Sequence, residues 1–313
     1  MSNTSNSTNK ISVVIPCMNE ESNILSLYLK INSLLQSENL EFIIIDDGSS
    51  DNTWEEVKKL SLKDPNVKGI RFARNFGQQL ALDAGLKAST GSAVISLDAD
   101  FQHPPELLPE MLKKWRDGVK IVKTRRLDTE KTSWLKKNSS SCFYRIFNSL
   151  SGMKLEQGSA DFRLMDRSVV DYLIKLSEHN KFFRGLVDWT GMSHATIEYH
   201  PNERSAGKSS YSVRKMLELA EIAITNFSYT PLKFIILFGA FLSVSSTLLF
   251  IIAILCKYLI PNLFSSAALF GSFILANTGV IIVMLGVIAL YQINIYKALQ
   301  KRPDYIVAEK INS

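Results

Sequence analysis

Two carboxylates one residue apart, Asp98 and Asp100, close the apolar run Ala93-Val-Ile-Ser-Leu97, and Gln102, His103 and Pro104-Pro105 follow them. The run is short enough to be a buried strand. Within a strand the two aspartates would face opposite ways. At a strand end, where the backbone turns, both can approach one cation, and the Gln102 amide adds a neutral oxygen. Mg²⁺ is commonly held by one or two carboxylates together with substrate phosphates. On these residues alone, a plain acidic turn after a strand stays open as the alternative.

A second polar cluster, Asp46-Asp47-Gly48-Ser49-Ser50-Asp51-Asn52-Thr53, follows the apolar run Glu41-Phe-Ile-Ile-Ile45. An aspartate placed there can accept from a uracil N–H or from ribose hydroxyls, and Gly48 lets the backbone come close to a ring. The other reading is an ordinary turn in which Asp51 or Asn52 caps the next helix. Arg74-Asn75-Phe76-Gly77 opens a further helix, where it either meets a diphosphate or merely ends a strand.

The elements that must carry these residues alternate. Strands are expected at Ile11–Ile15, Glu41–Ile45, Val67–Phe72 and Ala93–Leu97, with helices at Asn23–Leu35, Thr53–Leu62 and Gln78–Ala88 between them. Alternation of this kind predicts an α/β, Rossmann-like domain with a mainly parallel sheet. Such sheets bind ligands at the carboxyl ends of their strands, where every cluster above falls.

Composition limits the rest. The chain has 313 residues and a formal net charge of +6, with a charged fraction of 21%, so the basic excess is modest and nucleic acid is not an expected partner. Its three cysteines, Cys17, Cys142 and Cys256, have no metal or disulfide spacing. Residues 1–10 read as a disordered polar tail without the apolar core of a signal peptide. Phe234–Leu255 and Leu263–Tyr296 carry no charge. Each exceeds the roughly 20 residues a helix needs to cross a bilayer, so two spans are expected, at 233–257 and 264–296. Basic residues flank the pair (Arg214, Lys215 and Lys233 before; Lys297, Lys301, Arg302 and Lys310 after), which predicts cytoplasmic flanks. Residues 212–232 have the apolar spacing of an amphipathic helix at the membrane interface, and 297–313 read as a cytoplasmic tail.

The motifs VVIPCMNEE, IIIDDGSSDNT, FARNFGQQLALDAGL, LDADFQHPPELLP, GSADFRLMDR and FFRGLVDW resemble family-2 glycosyltransferases of GT-A fold that charge polyprenyl phosphate. The type is that of bactoprenol glucosyltransferases, related to dolichol-phosphate mannose synthases. The likeness runs on through ERSAGKSSYSVRKMLELA, FSYTPLKF and IYKALQKRPDYIV, and so covers nearly the whole chain. It implies a GT-A domain over 11–211 in a multi-pass bacterial plasma-membrane protein, with the catalytic domain cytoplasmic and a tetrameric assembly.

The resemblance also implies roles. Pro16, Asn19, Glu20, Asp46 and Asp47 match positions lining a nucleotide pocket, with Arg74 and Asn75 close by, while Asp98, Asp100 and Gln102 match a set that holds Mg²⁺ or Mn²⁺. Asp161 and Arg163 match the sugar and acceptor end, and Arg125 an arginine that meets phosphate. Arg204, Ser209 and Tyr211 fall in a segment that closes over the donor and acceptor phosphates. Three positions depart from the family pattern: Ala160 stands where a glycine is usual, and Pro201 and Ser210 replace expected cations.

The implied reaction transfers one sugar, most often glucose from a UDP-sugar, to polyprenyl phosphate with inversion. N-acetylglucosamine, mannose from GDP-mannose and an aminoarabinose derivative remain alternatives. The acceptor phosphate is already an anion, so Asp161 is expected to orient a substrate more than to take a proton. A processive polysaccharide synthase would need a Gln-x-x-Arg-Trp motif after Asp161, which the chain lacks. A non-catalytic nucleotide-binding scaffold is the rival from another class.

Overall fold

The computed structural model describes residues 9–127, 159–176, 181–200, 230–259, 266–300 and 302–312. They fall into two units, one built on a sheet and one on two long helices.

The sheet unit opens with the expected alternation: β1 (Ile11–Cys17), α1 (Ile24–Leu34), β2 (Leu40–Asp46), α2 (Thr53–Lys63), β3 (Val67–Phe72), α3 (Gln78–Ala88) and β4 (Ala93–Ser96). Both β1 and β2 are buried along their full length, as runs of Ile and Val covered on both faces should be. Ile24, Leu27 and Ile31 of α1 and Trp54, Val57 and Leu60 of α2 pack on one face with Val13, Phe42 and Ile44. Helix α3 lies on the opposite face. It sits so close that a Cβ on Gly85 would fall 2.3 Å from Val14 Cγ1 and 2.7 Å from Ile45 Cδ1.

The chain continues through α4 (Leu108–Arg116), β5 (Ile121–Arg126), β6 (Ser159–Asp166), α5 (Arg167–Lys175), α6 (Phe183–Trp189) and β7 (His194–Tyr199). The strand order is β7-β5-β6-β4-β1-β2-β3-β8, and four of the seven pairings are parallel. Strand β6 runs antiparallel between β4 and β5, with Ser96 opposite Arg163. Its first residues therefore lie at the carboxyl end of β4.

Two expectations for the termini are corrected. Lys10 is not part of a disordered tail, since its Nζ pairs with buried Glu41 at 2.8 Å. Residues 297–313 are not simply a tail either, because Val307–Ile311 form β8, antiparallel to β3 at the sheet edge. Ala73 N–H donates to Ile306 O at 2.9 Å, Tyr305 stacks on Phe72 at 4.7 Å, and Asn312 Nδ2 donates to Ser61 O and Val67 O, each at 3.0 Å. The physical reason is the free backbone edge of β3, which β8 pairs.

The second unit holds α7 (Thr230–Leu259, 30 residues) and α8 (Ser266–Leu299, 34 residues). A Cβ on Gly239 of α7 would contact Met284 Cε of α8 at 3.4 Å. Polar side chains turn back onto their own helices, as in Ser245 Oγ to Phe241 O (2.8 Å) and Asn277 Nδ2 to Phe273 O (2.9 Å). Over the described residues, no helix is long and apolar enough to cross a membrane. That finding overturns the multi-pass plasma-membrane location with a cytoplasmic catalytic domain, and it gives the two expected spans no support among the described residues. A stretch without charge correctly foretold helices, but it identifies only a candidate crossing and does not establish one. The expected amphipathic helix lies outside the described residues over 212–229.

Candidate active site

The polar clusters gather where β1, β2 and β4 end and β6 begins. After β1 the chain turns at Asn19, whose φ of 57° is one that asparagine tolerates better than most residues. Asn19 N–H donates to Ser49 Oγ (2.9 Å), and Asn19 Oδ1 accepts from Ser50 N–H (2.9 Å). Glu20 N–H donates to Thr53 Oγ1 at 2.8 Å, and Glu20 Oε2 accepts from Asn23. Pro16 stays inside β1, opposite Ile45 of β2. The loop after β1 is thus stitched to the loop after β2.

The two aspartates after β2 differ in use. Asp46 is fully buried, and its Oδ1 accepts from Ser49 N–H at 2.9 Å. Its Oδ2 has no hydrogen-bond partner, and Arg71 Nε stands 3.4 Å away. Asp47 spends both oxygens on backbone, accepting from Phe76 N–H (2.7 Å) and Gly77 N–H (2.9 Å). Burial raises the Asp47 carboxyl, those two amides oppose the shift, and the Asp46 charge adds to it. Asp47 therefore fastens the Arg74–Gly77 loop. Gly48 (φ 72°) sits against that loop, and a Cβ there would lie 2.5 Å from the Arg74 carbonyl carbon. The Arg74 guanidinium lies over the Phe76 ring at 4.5 Å, and Asn75 donates to Met18 Sδ.

Strand β4 stops at Ser96, so Asp98 and Asp100 stand on the turn beyond it, where Phe101 takes a φ of 58°. Gln78 Nε2 donates to Asp98 Oδ1 at 2.6 Å, and Asp98 N–H donates to His103 Nδ1 at 3.2 Å. Gln102 N–H donates to Asp100 Oδ1 (3.1 Å). Burial first, then the Asp161 and Asp100 carboxylates, push the Asp98 carboxyl up to about 7, with Arg184 and Gln78 opposing. His103 stacks on Phe162 at 5.3 Å, and burial lowers it to about 4, so the ring is neutral and Nδ1 accepts.

Asp161 is the most tightly held acid of the site. Arg163 Nη2 donates to its Oδ1 at 2.8 Å, and Arg184 contributes Nε to Oδ1 (3.1 Å) and Nη2 to Oδ2 (2.8 Å). Gln79 Nε2 lies 3.5 Å from Oδ2. Ser96 Oγ donates to the Asp161 carbonyl at 2.6 Å and so binds β4 to this corner. Burial alone would raise the Asp161 carboxyl, but the Arg184 and Arg163 guanidiniums outweigh it and hold it far below the usual carboxylate range. The side chains of Asp161 and Arg163 are only 6% and 3% exposed, so this is a buried ion pair.

Arg125 is not brought to this cluster. It pairs with Glu198, while its neighbour Arg126, on the opposite face of β5, directs Nη1 to Gln102 Oε1 at 3.4 Å. Arg204, Ser209 and Tyr211 lie outside the described residues, as do Pro201 and Ser210. Four residues of the cluster, Gln78, Gln79, Arg126 and Arg184, were not singled out from the sequence. Gln78, Gln79 and Arg184 sit inside quoted motifs, FGQQ and FFRG, but nothing in their spacing shows that α3 and α6 deliver them to one place.

Residues 12–174, just over half the chain, match the profile described as Glycosyl transferase family 2. The chain belongs to glycosyltransferase family 2. It is similar to the uncharacterized glycosyltransferase YkcC of Bacillus subtilis (37% identical, covering 95% of this chain and 92% of that protein). The bactoprenol glucosyl transferase of Shigella phage SfX is 35% identical, over 96% of this chain and 99% of that protein. A crystal structure of glucosyl-3-phosphoglycerate synthase from Mycobacterium tuberculosis with Mn²⁺, UDP-glucose and phosphoglyceric acid aligns at TM-score 0.46 and 19% identity, over 69% of this chain and 78% of that one. The family 2 region ends on α5, so it takes in Asp46, Asp98, Asp100, Asp161 and Arg163; Arg184 and β8 lie beyond it.

Proposed function

We propose that this family 2 glycosyltransferase moves a single sugar, glucose from UDP-glucose, onto polyprenyl phosphate with inversion. The observation that carries the reading is the meeting of Asp98 and Asp100 with the Arg-clamped Asp161 at the end of β4. It is supported by the near full-length likeness to a relative named bactoprenol glucosyl transferase.

The donor nucleotide would lie along Asn19, Glu20 and the loop that Asp46 begins, Asp46 itself being fully buried beside Arg71. The residues fit a divalent ion: two carboxylates and the Gln102 amide oxygen on one turn are hard oxygen donors. The crowding that raises Asp98 is what a cation would relieve. Among the described residues there is no group of three or more His, Cys, Asp or Glu arranged to hold a metal, so phosphate oxygens and water would have to supply the ion's remaining ligands. Mg²⁺ or Mn²⁺, when bound, would supply the positive charge that stabilises the departing diphosphate.

Asp161 orients rather than deprotonates, because its oxygens are taken by Arg163 and Arg184. The acceptor phosphate arrives as an anion and needs no strong base. Arg184, 27% exposed at its side chain, offers a fixed planar donor set suited to phosphate oxygens.

The test is incubation of purified protein with polyprenyl phosphate, Mg²⁺ or Mn²⁺, and a panel of UDP- and GDP-sugars, read by product mass. One lipid monophosphate sugar, from UDP-glucose, is expected, and Asp100→Ala should abolish its formation. Turnover with another sugar nucleotide would revise the donor. Absence of turnover with every donor would favour a nucleotide-binding scaffold.

A further inference from the structure

The last strand carries none of the site residues described so far, yet it is wired to the buried aspartate of the donor loop. Arg71 of β3 stands in register with Asp46 of β2 on one side and Glu309 of β8 on the other. Paired positions on adjacent strands project from the same face. Asp46, Arg71 and Glu309 therefore form one line of alternating charge across three strands. Arg71 Nε is 3.4 Å from Asp46 Oδ2, the buried oxygen without a hydrogen-bond partner, and Arg71 Nη1 donates to Glu309 Oε1 at 3.5 Å. The other oxygen, Glu309 Oε2, accepts from Trp54 Nε1 at 2.9 Å. Trp54 is 1% exposed and sits in the first turn of α2, the helix that starts where the Asp46–Asn52 loop ends. One carboxylate thus holds both ends of that loop, through Arg71 at its start and Trp54 at its finish.

We infer that β8 is a positioning element for the donor site, with Glu309 acting through Arg71 and Trp54 to set Asp46 and the loop that follows it. The ligand in this inference rests on the UDP reading above; the geometry does not. Without Glu309 the Arg71 side chain regains rotamer freedom and Asp46 Oδ2 loses its fixed cationic neighbour. The loop then samples arrangements that do not bind nucleotide, and apparent affinity falls in proportion to the competent fraction.

The experiment compares wild type with Glu309→Gln, Glu309→Ala and Arg71→Met in the full chain. Hydrogen exchange of the amides of residues 47–53 is measured without ligand, UDP affinity by titration calorimetry with Mn²⁺, and kcat at saturating donor. Faster exchange at 47–53 and UDP binding weaker by roughly fivefold are expected for Glu309→Ala. Glu309→Gln should lose less, because its amide oxygen still accepts from Trp54. Arg71→Met takes the cation from buried Asp46 directly, so it should weaken UDP binding at least as much as Glu309→Ala, and adding Glu309→Ala to it should cost little more than the loss of the Trp54 bond. The kcat should stay within about twofold, a split that general unfolding would not produce. Wild-type exchange and affinity in Glu309→Ala would overturn the inference, as would a fall in kcat and melting temperature with affinity unchanged. If Glu309→Ala fails to fold, Glu309→Gln carries the same comparison. If wild type binds no UDP, the donor reading fails, and the exchange contrast still decides the role of β8.

Discussion

Replacing Asp161 with Asn tests whether this residue is an anchor for cations or a base. Its carboxylate receives three N–H groups from two arginines at 2.8–3.1 Å. Arg163 is 2% exposed, and its remaining bonds go to carbonyls, Ala160 O at 3.0 Å and Phe183 O at 3.4 Å, while its Nε has no hydrogen-bond partner. Removing one member of a buried pair costs about 3–5 kcal/mol, because the other charge is left uncompensated. Asn keeps one acceptor oxygen, so the loss should sit near about 3 kcal/mol. Arg184→Met breaks the more solvated half of the clamp and should cost about 1 kcal/mol. The double variant should lose about 1 kcal/mol less than the sum, since the Asp161–Arg184 bonds are removed once. Urea titration followed by Trp54 and Trp115 emission reads the sheet unit. In turnover, an anchor predicts that Asp161→Asn and Arg184→Met fall together and keep the shape of the pH–rate profile. A base predicts a loss of about 10²–10⁴ for Asp161→Asn alone, with one limb of the profile gone. That second outcome, with stability within about 0.5 kcal/mol of wild type, would refute the reasoning.

Glu41 offers a pH test away from the site. It is fully buried and accepts from Ser12 Oγ (2.5 Å) and Thr90 N–H (2.6 Å), with Lys10 and Lys68 at 2.8 and 3.1 Å. Burial would raise its carboxyl, but these partners prevail and bring it from 4.5 to about 2. A depressed value stabilises the fold above the unfolded value, so about 2 kcal/mol, discounted for the partial exposure of the two lysines, should be lost between about pH 4.5 and 2. Glu41→Gln should lack this dependence in acid denaturation, and a wild-type-minus-variant difference that ignores pH would contradict the assignment. Gly48→Ala forces a Cβ onto the Arg74 backbone at positive φ, and should cost about 3 kcal/mol or more and weaken UDP binding. Wild-type melting and affinity in that variant would show that the two loops are not packed as described.

The first half of the sheet unit was legible because its signals are local. β1, β2 and β4 are apolar runs with a polar cluster behind each, β3 carries buried residues interrupted by Lys68 and Arg71, and α1 to α3 carry apolar residues at helical spacing. The placement of Asp46 and Asp98 was legible for the same reason, since a strand end has to set them at one edge of the sheet. The expected membrane hairpin drew on charge-free stretches, a property of composition that foretells long helices but not their crossing of a bilayer. Arg184, Arg126 and Gln79 were missed because what makes them part of the site is a neighbour far along the chain.

The sequence alone determined which residue types sit at strand ends, and so the class of chemistry, because strand and helix periodicity act over a few residues. Only the tertiary structure decided how those residues are used. Asp47 became a fastener for a loop, Asp161 a carboxylate closed by two arginines, and the final strand a brace on Asp46. Arg163 is only two residues from Asp161, but each outcome also needs a contact between residues from 23 to 238 positions apart, set by how strands pair and helices pack.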